Sequence, residues 1–257
     1  MIICVDIGNT NLYGGVFDKE KLLLQFRYPS TSSCTSDQLG VFFRNVLQEN
    51  QLDPTEITAI AICSVLPSLN YSIRSAFIKY FAIDPLFLDA TNIPELTIHC
   101  ENPQEVGADR LANAVAATHY FPHQNLIIID LGTATTFDVV SAQHLYLGGV
   151  IMPGIHTAMK SLYENTAKLA PVHIVRPKQI VGNTTTKNIQ SGLYFSHLGA
   201  MREIMQKITH EVFRPEPVTV LGTGGFCYLF ENENVFHKNI PDLVLQGLRL
   251  TLQKQVD

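Results

Sequence analysis

The sequence predicts an α/β protein built from two related domains, and three observations lead to this fold class. Short apolar runs, such as Ile2-Ile3-Cys4-Val5, are typical of strands buried on both faces of a sheet. Segments with helical periodicity alternate with these runs along the chain. The layout of the first hairpin also returns 124 residues later. We therefore expect an internal duplication.

The first half reads as a three-stranded meander followed by helices and single strands. The meander is expected to begin with the apolar run 2–5, and its further strands are expected at 12–18 and 21–28, with tight turns between them. Pro122 prevents continuation of the last helix of this half. The further elements expected are a helix at 36–49, a strand at 57–62, a helix at 68–80, a strand at 85–88 and a helix at 109–120.

The second half begins with the same strand–turn–strand layout. The apolar run 126–129 leads into an Asp-x-Gly turn and a return strand, and another apolar stretch follows at 145–151. The elements expected after it are a long helix at 190–213, a strand at 218–221 and a last helix at 241–253. Because the repeat starts just after residues 121–124, we expect domains at 1–121 and 122–257.

Composition narrows the classes of function. The chain has 257 residues, 18 Lys and Arg against 23 Asp and Glu, and a net charge of −5. Duplex nucleic acid is not an expected partner, because its affinity depends on clustered basic residues. No apolar run is long enough to predict a membrane span, and the first residues do not have the pattern of a secretory signal. The five Cys are scattered without a CxxC pair, which favours a reducing cytoplasm.

Two Asp-x-Gly turns are the first candidate sites. Asp130 aligns with Asp6, Gly132 with Gly8 and Phe137 with Tyr13. Successive backbone N–H groups in such turns can bind an anion, and a neighbouring carboxylate suits a cation that offsets phosphate charge. The alternative is that Asp and Gly simply form hairpin turns. Repetition at matched positions favours phosphate binding.

A third glycine cluster, Gly222-Thr223-Gly224-Gly225, follows a predicted strand. It does not match a dinucleotide-binding fingerprint, because Cys227 stands where the third Gly belongs, and the chain has no P-loop. Close approach of the backbone to a base or ribose is one interpretation. An ordinary tight turn is the other.

Gly107-Ala108-Asp109-Arg110 opens a predicted helix. An Asp at this position can cap the helix and interact favourably with its dipole. It can also accept a proton from a substrate hydroxyl, with the Arg binding a substrate carboxylate. These residue types by themselves favour the cap.

Taken in order, seven blocks resemble the motifs of type III pantothenate kinases over essentially the whole chain. The first Asp block and the Gly-Thr-Ala block alone indicate only the wider superfamily of actin, chaperone ATPases and sugar and acetate kinases. Gly-Ala-Asp-Arg at this spacing is much more specific. The blocks are Asp6-Ile7-Gly8-Asn9-Thr10-Asn11, Asn102-Pro103, Val106-Gly107-Ala108-Asp109-Arg110, Asp130-Leu131-Gly132-Thr133-Ala134-Thr135, Gly182-Asn183-Thr184, Ser191-Gly192 and Thr223-Gly224-Gly225.

The resemblance implies two actin-like (ribonuclease H-like) domains, each a mixed sheet flanked by helices. It implies ATP-dependent phosphorylation of pantothenate to 4'-phosphopantothenate, the first step of coenzyme A biosynthesis. Mg²⁺ and a monovalent cation, K⁺ or NH₄⁺, are the implied cofactors. A homodimer whose pantothenate pocket is shared between subunits is the implied assembly.

The same resemblance assigns roles to the matching residues. Asp109 is the expected general base, Arg110 the partner of the pantothenate carboxylate and Asp130 the ligand of the monovalent cation, while Asp6 lies near Mg²⁺. Expected ATP contacts are Asp6, Ile7, Gly8, Asn9, Thr10, Asn11, Leu12, Tyr13, Thr133, Gly222, Gly224 and Gly225. Expected pantothenate contacts are Cys100, Gly107, Ala108, Asp109, Arg110 and Thr184.

Cys100 departs from the family pattern, which usually has a Tyr two residues before the Asn-Pro pair. A thiol has neither the reach nor the hydrogen bond of a phenol. Two other functions stay open, and Cys100 bears on the first. One is a kinase or phosphatase of the same superfamily with another substrate, and the other is a nucleotide-binding regulatory protein.

Overall fold

The computed structural model describes residues 1–31 and 33–256, with side chains through residue 254. The chain forms two compact units. Unit one comprises 1–120 with 243–257, and unit two comprises 121–242. The helices are α1 (Ser36–Glu49), α2 (Pro67–Phe81), α3 (Ala108–Tyr120), α4 (Ile155–Glu164), α5 (Thr185–Ile208) and α6 (Leu243–Val256). None of the helices in the described part of the chain is long and apolar enough to cross a membrane.

The sheet of unit one has the strand order β3-β2-β1-β4-β5. Strand β1 is antiparallel to β2 and parallel to β4, β2 is antiparallel to β3, and β4 is parallel to β5. The sheet is therefore mixed, as expected. The strands from this part of the chain are β1 (Ile2–Ile7), β2 (Asn11–Asp18), β3 (Lys21–Pro29), β4 (Ala59–Ser64), β5 (Leu86–Phe87) and β6 (Thr97–Ile98).

Helices cover both faces of this sheet. Helix α1 begins at a capping box, in which the Thr35 hydroxyl accepts from the Gln38 amide and the Gln38 side chain accepts from the Thr35 amide. Its apolar side packs with α2 against one face of β1. The other face, which carries Cys4, packs against residues of α3 and α6 such as Leu111 and Leu248. Residues two apart in β1 share a face, so Asp6 lies on the α3 side.

Unit two repeats the topology of unit one. Its strands β7 to β11 take the order β9-β8-β7-β10-β11, with the same parallel and antiparallel pairings as β3-β2-β1-β4-β5. The α/β fold of two related units that the repeat predicted is therefore confirmed. The strands are β7 (Asn125–Leu131), β8 (Ala134–Val140), β9 (Leu145–Pro153), β10 (Val218–Thr223) and β11 (Lys238–Asn239).

The pairing corrects the sequence alignment of the two hairpins by one residue. Asp6 pairs with Tyr13, whereas Asp130 pairs with Thr136. Thr136, not Phe137, is thus the counterpart of Tyr13. The cause is a turn shorter by one residue: Gly8 N–H donates to Asn11 O, three residues on, whereas Gly132 N–H donates to Ala134 O, two residues on.

The C-terminal helix belongs to unit one, which differs from the predicted domain 122–257. Leu245 and Leu248 of α6 pack in the same apolar cluster as Leu111 of α3. A β-carbon on Gly247 would collide with the backbone of Ala112, so the two helices approach closely. The amphipathic pattern predicted a helix here, but it could not specify which sheet the helix covers.

Other element boundaries also differ. Helix α5 begins at Thr185, five residues before the predicted start, because Thr184 caps it. Its regular part ends at Ile208, and the chain continues as a π-helical turn over Thr209–Phe213. Helix α4 and the two-residue strands β6 and β11 were not predicted. A strand of two residues is too short to show periodicity, whereas α4 is an amphipathic helix of ten residues that the sequence analysis missed.

Candidate functional site

Asp6 stands at the end of β1, where β1 is flanked by β2 and β4. It is half-buried, and it pairs with Tyr13 on one side and with Cys63 on the other. The Cys63 thiol is fully buried and donates a hydrogen bond to Asp6 Oδ1, at 3.3 Å from Sγ to Oδ1. The carboxylate of Asp6 is therefore held by the neighbouring strand as well as by its own.

The turn after Asp6 is tight and presents polar groups to solvent. Gly8 N–H donates to Asn11 O at 3.1 Å, and a β-carbon on Gly8 would lie at the same distance from that oxygen. Asn9 and Thr10 are exposed, as is Asn11. Ile7 and Leu12 are fully buried on either side of the turn, and the Tyr13 ring stacks under the Arg27 guanidinium at 4.2 Å. The exposed part of the 6–13 stretch is thus the turn itself.

The residues 107–110 begin α3. Asp109 is in the first turn, and its Oδ1 accepts from the Arg110 backbone N–H at 2.8 Å. A β-carbon on Gly107 would lie 2.6 Å from that same oxygen. Burial raises the pKa of Asp109 above its ordinary value of 3.8, although the Arg110 amide and guanidinium oppose the change. The carboxylate thus interacts with a backbone amide of the first helical turn, as the cap interpretation expects. The role of a general base stays a prediction.

Asp6, Cys63 and Asp109 form one cluster on the α3 side of the sheet. Burial raises the pKa of the Cys63 thiol well above 9.0, and the charges of Asp6 and Asp109 raise it further. The sulfur therefore stays protonated close to both carboxylates. The sequence did not reveal Cys63, because its position depends on the parallel pairing of β1 with β4.

Cys100 and Arg110 lie near one another in unit one. Cys100 is half-buried, and burial raises the pKa of its thiol while the Arg110 charge opposes the change. The five cysteines, all of which the structure describes, form no disulfide. Cys100 thus lies close to a residue of the Gly-Ala-Asp-Arg block, although the two are ten positions apart.

In unit two, the Asp130 turn and the glycine cluster lie side by side. Strands β7 and β10 are parallel, and Asp130 pairs with Thr223. Gly224 has φ 87°, and a β-carbon there would collide with Asp130 Oδ1. Phe226 N–H donates to Leu131 O at 3.1 Å. Backbone geometry therefore requires glycine at position 224 and brings the two predicted motifs into direct contact.

The other residues of the cluster differ in exposure. Gly222 is buried, and a β-carbon there would lie 2.5 Å from the Cys227 Sγ. Gly225 is exposed, with no atom within 4 Å of the place that a β-carbon would take. Burial, together with Glu231 and Asp130, raises the pKa of Cys227 to about 12. The cluster thus has a packed side at Gly222 and an open side at Gly225.

Thr133 is exposed at the tip of the second turn, and α4 begins directly against it. Its carbonyl accepts from the Gly154 N–H at 3.1 Å and from the Thr157 hydroxyl at 2.6 Å. Thr135, the last residue of the same sequence block, is fully buried and pairs with Leu131. Its hydroxyl therefore faces the interior of unit two.

Thr184 is the N-cap of α5. Its hydroxyl accepts from the Lys187 N–H at 3.3 Å, and the residue is exposed. The Lys187 ammonium donates to the Asn183 side chain at 2.9 Å. The Gly182-Asn183-Thr184 block therefore starts a helix, and any contact with a substrate would come from the same exposed segment.

Asp6 and Asp130 are the residues that could hold cations. Within the described ranges, no group of three or more His, Cys, Asp and Glu side chains could hold a metal ion. Mg²⁺ in nucleotide sites needs only one or two carboxylates, since water and phosphate complete its coordination. The single carboxylate of Asp6 fits that mode. At Asp130 the backbone of Gly224 comes so close that a β-carbon would collide with Oδ1.

A cavity of about 630 Å³ in unit two lies elsewhere. It is lined by side chains of α5, the π-helical turn and β10, among them Arg202, His210 and Val220. None of the predicted site residues lines it, and we do not assign it to the site.

Comparison with known proteins assigns the family. A sequence model of the type III pantothenate kinase family matches residues 2–207. The chain belongs to this family. A type III pantothenate kinase from Legionella pneumophila (strain Corby) is 51% identical over 250 residues, which are 97% of either chain. A type III pantothenate kinase 1 from Francisella tularensis subsp. holarctica (strain OSU18) is 45% identical over 253 residues, which are 98% of this chain and 99% of that protein.

Solved structures support the actin-like kinase fold. A proposed 2-dehydro-3-deoxygalactonokinase from Sinorhizobium meliloti superposes with a TM-score of 0.60 and 11% identity, over 99% of this chain and 96% of that one. A proposed Baf family transcriptional activator from Campylobacter jejuni gives a TM-score of 0.62 and 18% identity, over 99% and 98% of the two chains. At these identities the likeness concerns the fold, and the fold expected from the family motifs is confirmed.

Proposed function

We propose that this member of the family phosphorylates pantothenate to 4'-phosphopantothenate with ATP, as the first step of coenzyme A biosynthesis. The observation that carries the proposal is the 51% identity, over 97% of both chains, to a curated type III pantothenate kinase. The position of Asp109 supports it. A carboxylate whose pKa is raised toward the working pH suits a general base.

Asp109 and Arg110 would act on the two ends of the acceptor. Asp109 would accept the proton of the pantothenate hydroxyl as that oxygen attacks the γ-phosphorus of ATP. The Arg110 guanidinium would bind the carboxylate, for which its planar donor geometry is suited. Gly107 and Ala108 would line the same pocket, together with Cys100. Thr184 is a further pantothenate contact of the proposal.

The strand ends would hold the nucleotide. In unit one, the amides and side chains of the 6–13 turn would bind phosphate, with Asp6 near Mg²⁺. In unit two, Thr133 would contact ATP, the Gly222–Gly225 turn would lie beside the adenosine, and Asp130 would bind K⁺ or NH₄⁺. The cations would neutralise phosphate charge, which matters because phosphoryl transfer depends on alignment and electrostatic stabilisation.

A homodimer and a cytoplasmic location are parts of the proposal. Family resemblance suggests a pantothenate pocket shared between subunits. Ile180 and Val181, directly before the Gly182–Thr184 block, are 66% and 77% exposed, which suits an apolar contact. Cysteines without disulfides suit a reducing compartment. Light scattering after size exclusion should give about twice the 28.6 kDa chain mass.

The decisive experiment measures ADP release that depends on pantothenate, with ATP and Mg²⁺, in potassium and then in sodium. The proposal predicts turnover with pantothenate, and loss of turnover in sodium if Asp130 binds the monovalent cation. Asp109→Asn should lower kcat by about 10²- to 10⁴-fold and leave MgATP affinity unchanged. A fully active Asp109→Asn variant would rule out the general base.

The same assay separates the alternatives. Cys100 stands where the family usually has Tyr, so turnover of another small alcohol but not pantothenate would indicate a changed substrate. Binding of MgATP without turnover of any alcohol would instead favour a nucleotide-binding regulatory protein.

A further inference from the structure

Cys63 occupies a position that no motif of the family singled out above includes. It lies on β4 in register with Asp6 of β1, and its side chain is fully buried. Its Sγ lies 3.3 Å from Asp6 Oδ1 and donates its proton to that oxygen. The hydrogen bond joins two parallel strands that are 57 residues apart in the sequence.

The thiol of Cys63 is fully buried and has no access to solvent. An unperturbed cysteine is protonated at neutral pH, so the sulfur is a neutral hydrogen-bond donor. The Cys63 thiol contacts Asp6 from the buried side, whereas the turn is exposed to solvent from Asn9 onward.

The duplicated unit provides an independent observation. Asp130 at the end of β7 is in register with Thr223 of the parallel strand β10, as Asp6 is with Cys63. Thr223 is 2% exposed. Each strand-end carboxylate therefore has, as its partner on the next parallel strand, a small buried side chain that carries a proton on sulfur or oxygen. The turns of the two hairpins differ in length by one residue. The register between the two parallel strands places a partner beside the carboxylate in both units.

We propose that Cys63 is a positioning residue, which holds Asp6 through the S–H···O bond so that the carboxylate is presented in one orientation for the Mg²⁺-bound phosphates. The inference rests on the proposed function, because it takes Asp6 as the residue near Mg²⁺. Groups that act on a reacting phosphate need to be held within about 0.5 Å and 10–20° of the productive geometry. A donor fixed in the sheet supplies such a constraint without adding charge.

The chain offers a matched control in Cys4. Cys4 lies two residues before Asp6 on the same face of β1, and it is as fully buried as Cys63. Cys4→Ala and Cys63→Ala remove the same group from the same apolar cluster, so they should cost similar stability. Of the two, only Cys63→Ala removes the hydrogen bond from Sγ to Asp6 Oδ1.

The experiment compares wild type, Cys63→Ala, Cys63→Ser and Cys4→Ala by two readouts. The first is the Mg²⁺ concentration that gives half-maximal pantothenate-dependent ADP release. The second is the Kd of MgATP by calorimetry, which needs no turnover. We expect Cys63→Ala to raise both by about 5- to 10-fold, as for loss of one hydrogen bond of ordinary net strength, because a thiol is a weak donor. The KM for pantothenate should be unchanged. Cys63→Ser, which keeps a donor, and Cys4→Ala should stay within about twofold of wild type.

If Cys63→Ala does not fold, Cys63→Val and Cys63→Thr take the places of Cys63→Ala and Cys63→Ser. Val and Thr have similar volumes, and only Thr retains a donor. The proposal is overturned if the variants without a donor match Cys4→Ala in both readouts, or if Ser and Thr fail to restore MgATP affinity. A wild-type protein that binds MgATP but does not act on pantothenate would contradict the proposed function alone, and the calorimetry would still decide the role of Cys63. A wild-type protein that does not bind MgATP would contradict both.

Discussion

A β-carbon on Gly107 would lie 2.6 Å from Oδ1 of Asp109, closer than atoms in real side-chain contacts approach. Gly107 is thus required by the position of the carboxylate two residues later. The Asp109 Oδ1 in turn accepts from the Arg110 amide at 2.8 Å. This relationship gives the Gly-Ala-Asp-Arg spacing a physical reason, because any side chain at position 107 would displace the carboxylate.

Gly107→Ala tests that reason directly. The added methyl group should push the Asp109 carboxylate away from its present position, and a shift of about 1 Å in a catalytic group can cost about 10²-fold in rate. We therefore expect kcat to fall by about that factor while the melting temperature changes little. Steady-state kinetics and thermal denaturation measure the two effects. Equal kcat values for Gly107→Ala and wild type would show that catalysis does not depend on the present position of the Asp109 carboxylate.

The pH dependence of kcat/KM for pantothenate should report on Asp109. Because burial disfavours the charged form, the pKa of Asp109 lies above 3.8, the ordinary value for an aspartate. The base is the deprotonated form, so activity is lost as the pH falls through this raised pKa. In a plot of log kcat/KM against pH, we expect an acid limb of unit slope. It should lie at higher pH than an exposed aspartate would give.

The limb is measured from rates between about pH 4 and pH 8, with MgATP saturating throughout. The residual activity of Asp109→Asn should not show it. The same limb in that variant would assign the titration to another group, for example a phosphate.

Gly224 and Gly225 form a matched pair of adjacent glycines in unit two. Gly224 has φ 87°, and an added methyl group would collide with Asp130 Oδ1 and the Leu131 backbone. Gly225 has nothing within 4 Å of the corresponding position. Gly224→Ala should therefore destabilise the protein by about 1–3 kcal/mol and weaken potassium activation. Gly225→Ala should leave the melting temperature near that of wild type.

Thermal denaturation and potassium titration of activity check this pair. If both variants have the melting temperature of wild type, Gly224 does not lie against Asp130 as described. If Gly224→Ala has a lower melting temperature than wild type but needs the same potassium concentration for activation, Asp130 does not bind the cation.

Gly247 tests the placement of the last helix. A β-carbon there would collide with the backbone of Ala112, so α6 would have to move away from α3. Gly247→Ala should cost about 1–3 kcal/mol of stability, although Ala is favoured over Gly within an isolated helix by about 1 kcal/mol. Gly192→Ala in α5 is the control, because nothing lies within 4 Å of its added methyl group.

Chemical denaturation of the two variants gives the result. Gly192→Ala should be neutral or slightly stabilising, and Gly247→Ala destabilising. Stabilisation by both substitutions would mean that α6 does not pack closely on α3.

The local pattern of the sequence was enough to predict the strand ends and their turns. An apolar run followed by Asp-x-Gly specifies a buried strand and a tight turn through the conformational freedom of glycine and the side-chain hydrogen bonds of Asp and Thr. The same kind of pattern occurs at β1 and β7, so the duplication could be read directly. Gly107 to Arg110 also predicted the start of a helix, since an acidic residue in the first turn interacts well with the helix dipole.

Pairing between distant segments could not be predicted in the same way. The sequence alignment made Phe137 the counterpart of Tyr13, whereas the register makes it Thr136, because the second turn is one residue shorter. The thiol of Cys63 reaches Asp6 only because β4 lies parallel to β1 in that register. Nothing in the residues around Cys63 indicates which strand will be its neighbour.

The sequence by itself determined the α/β class, the two related units, the family and the identity of the acidic residues at the strand ends. These depend on local periodicity and on motifs of a few residues. Only the tertiary structure decided that α6 returns to unit one, that Gly224 packs against Asp130 and that Cys63 holds Asp6. The physical reason is that such contacts depend on which apolar surfaces pack together, and many helices and strands with the same periodicity could satisfy the same pattern.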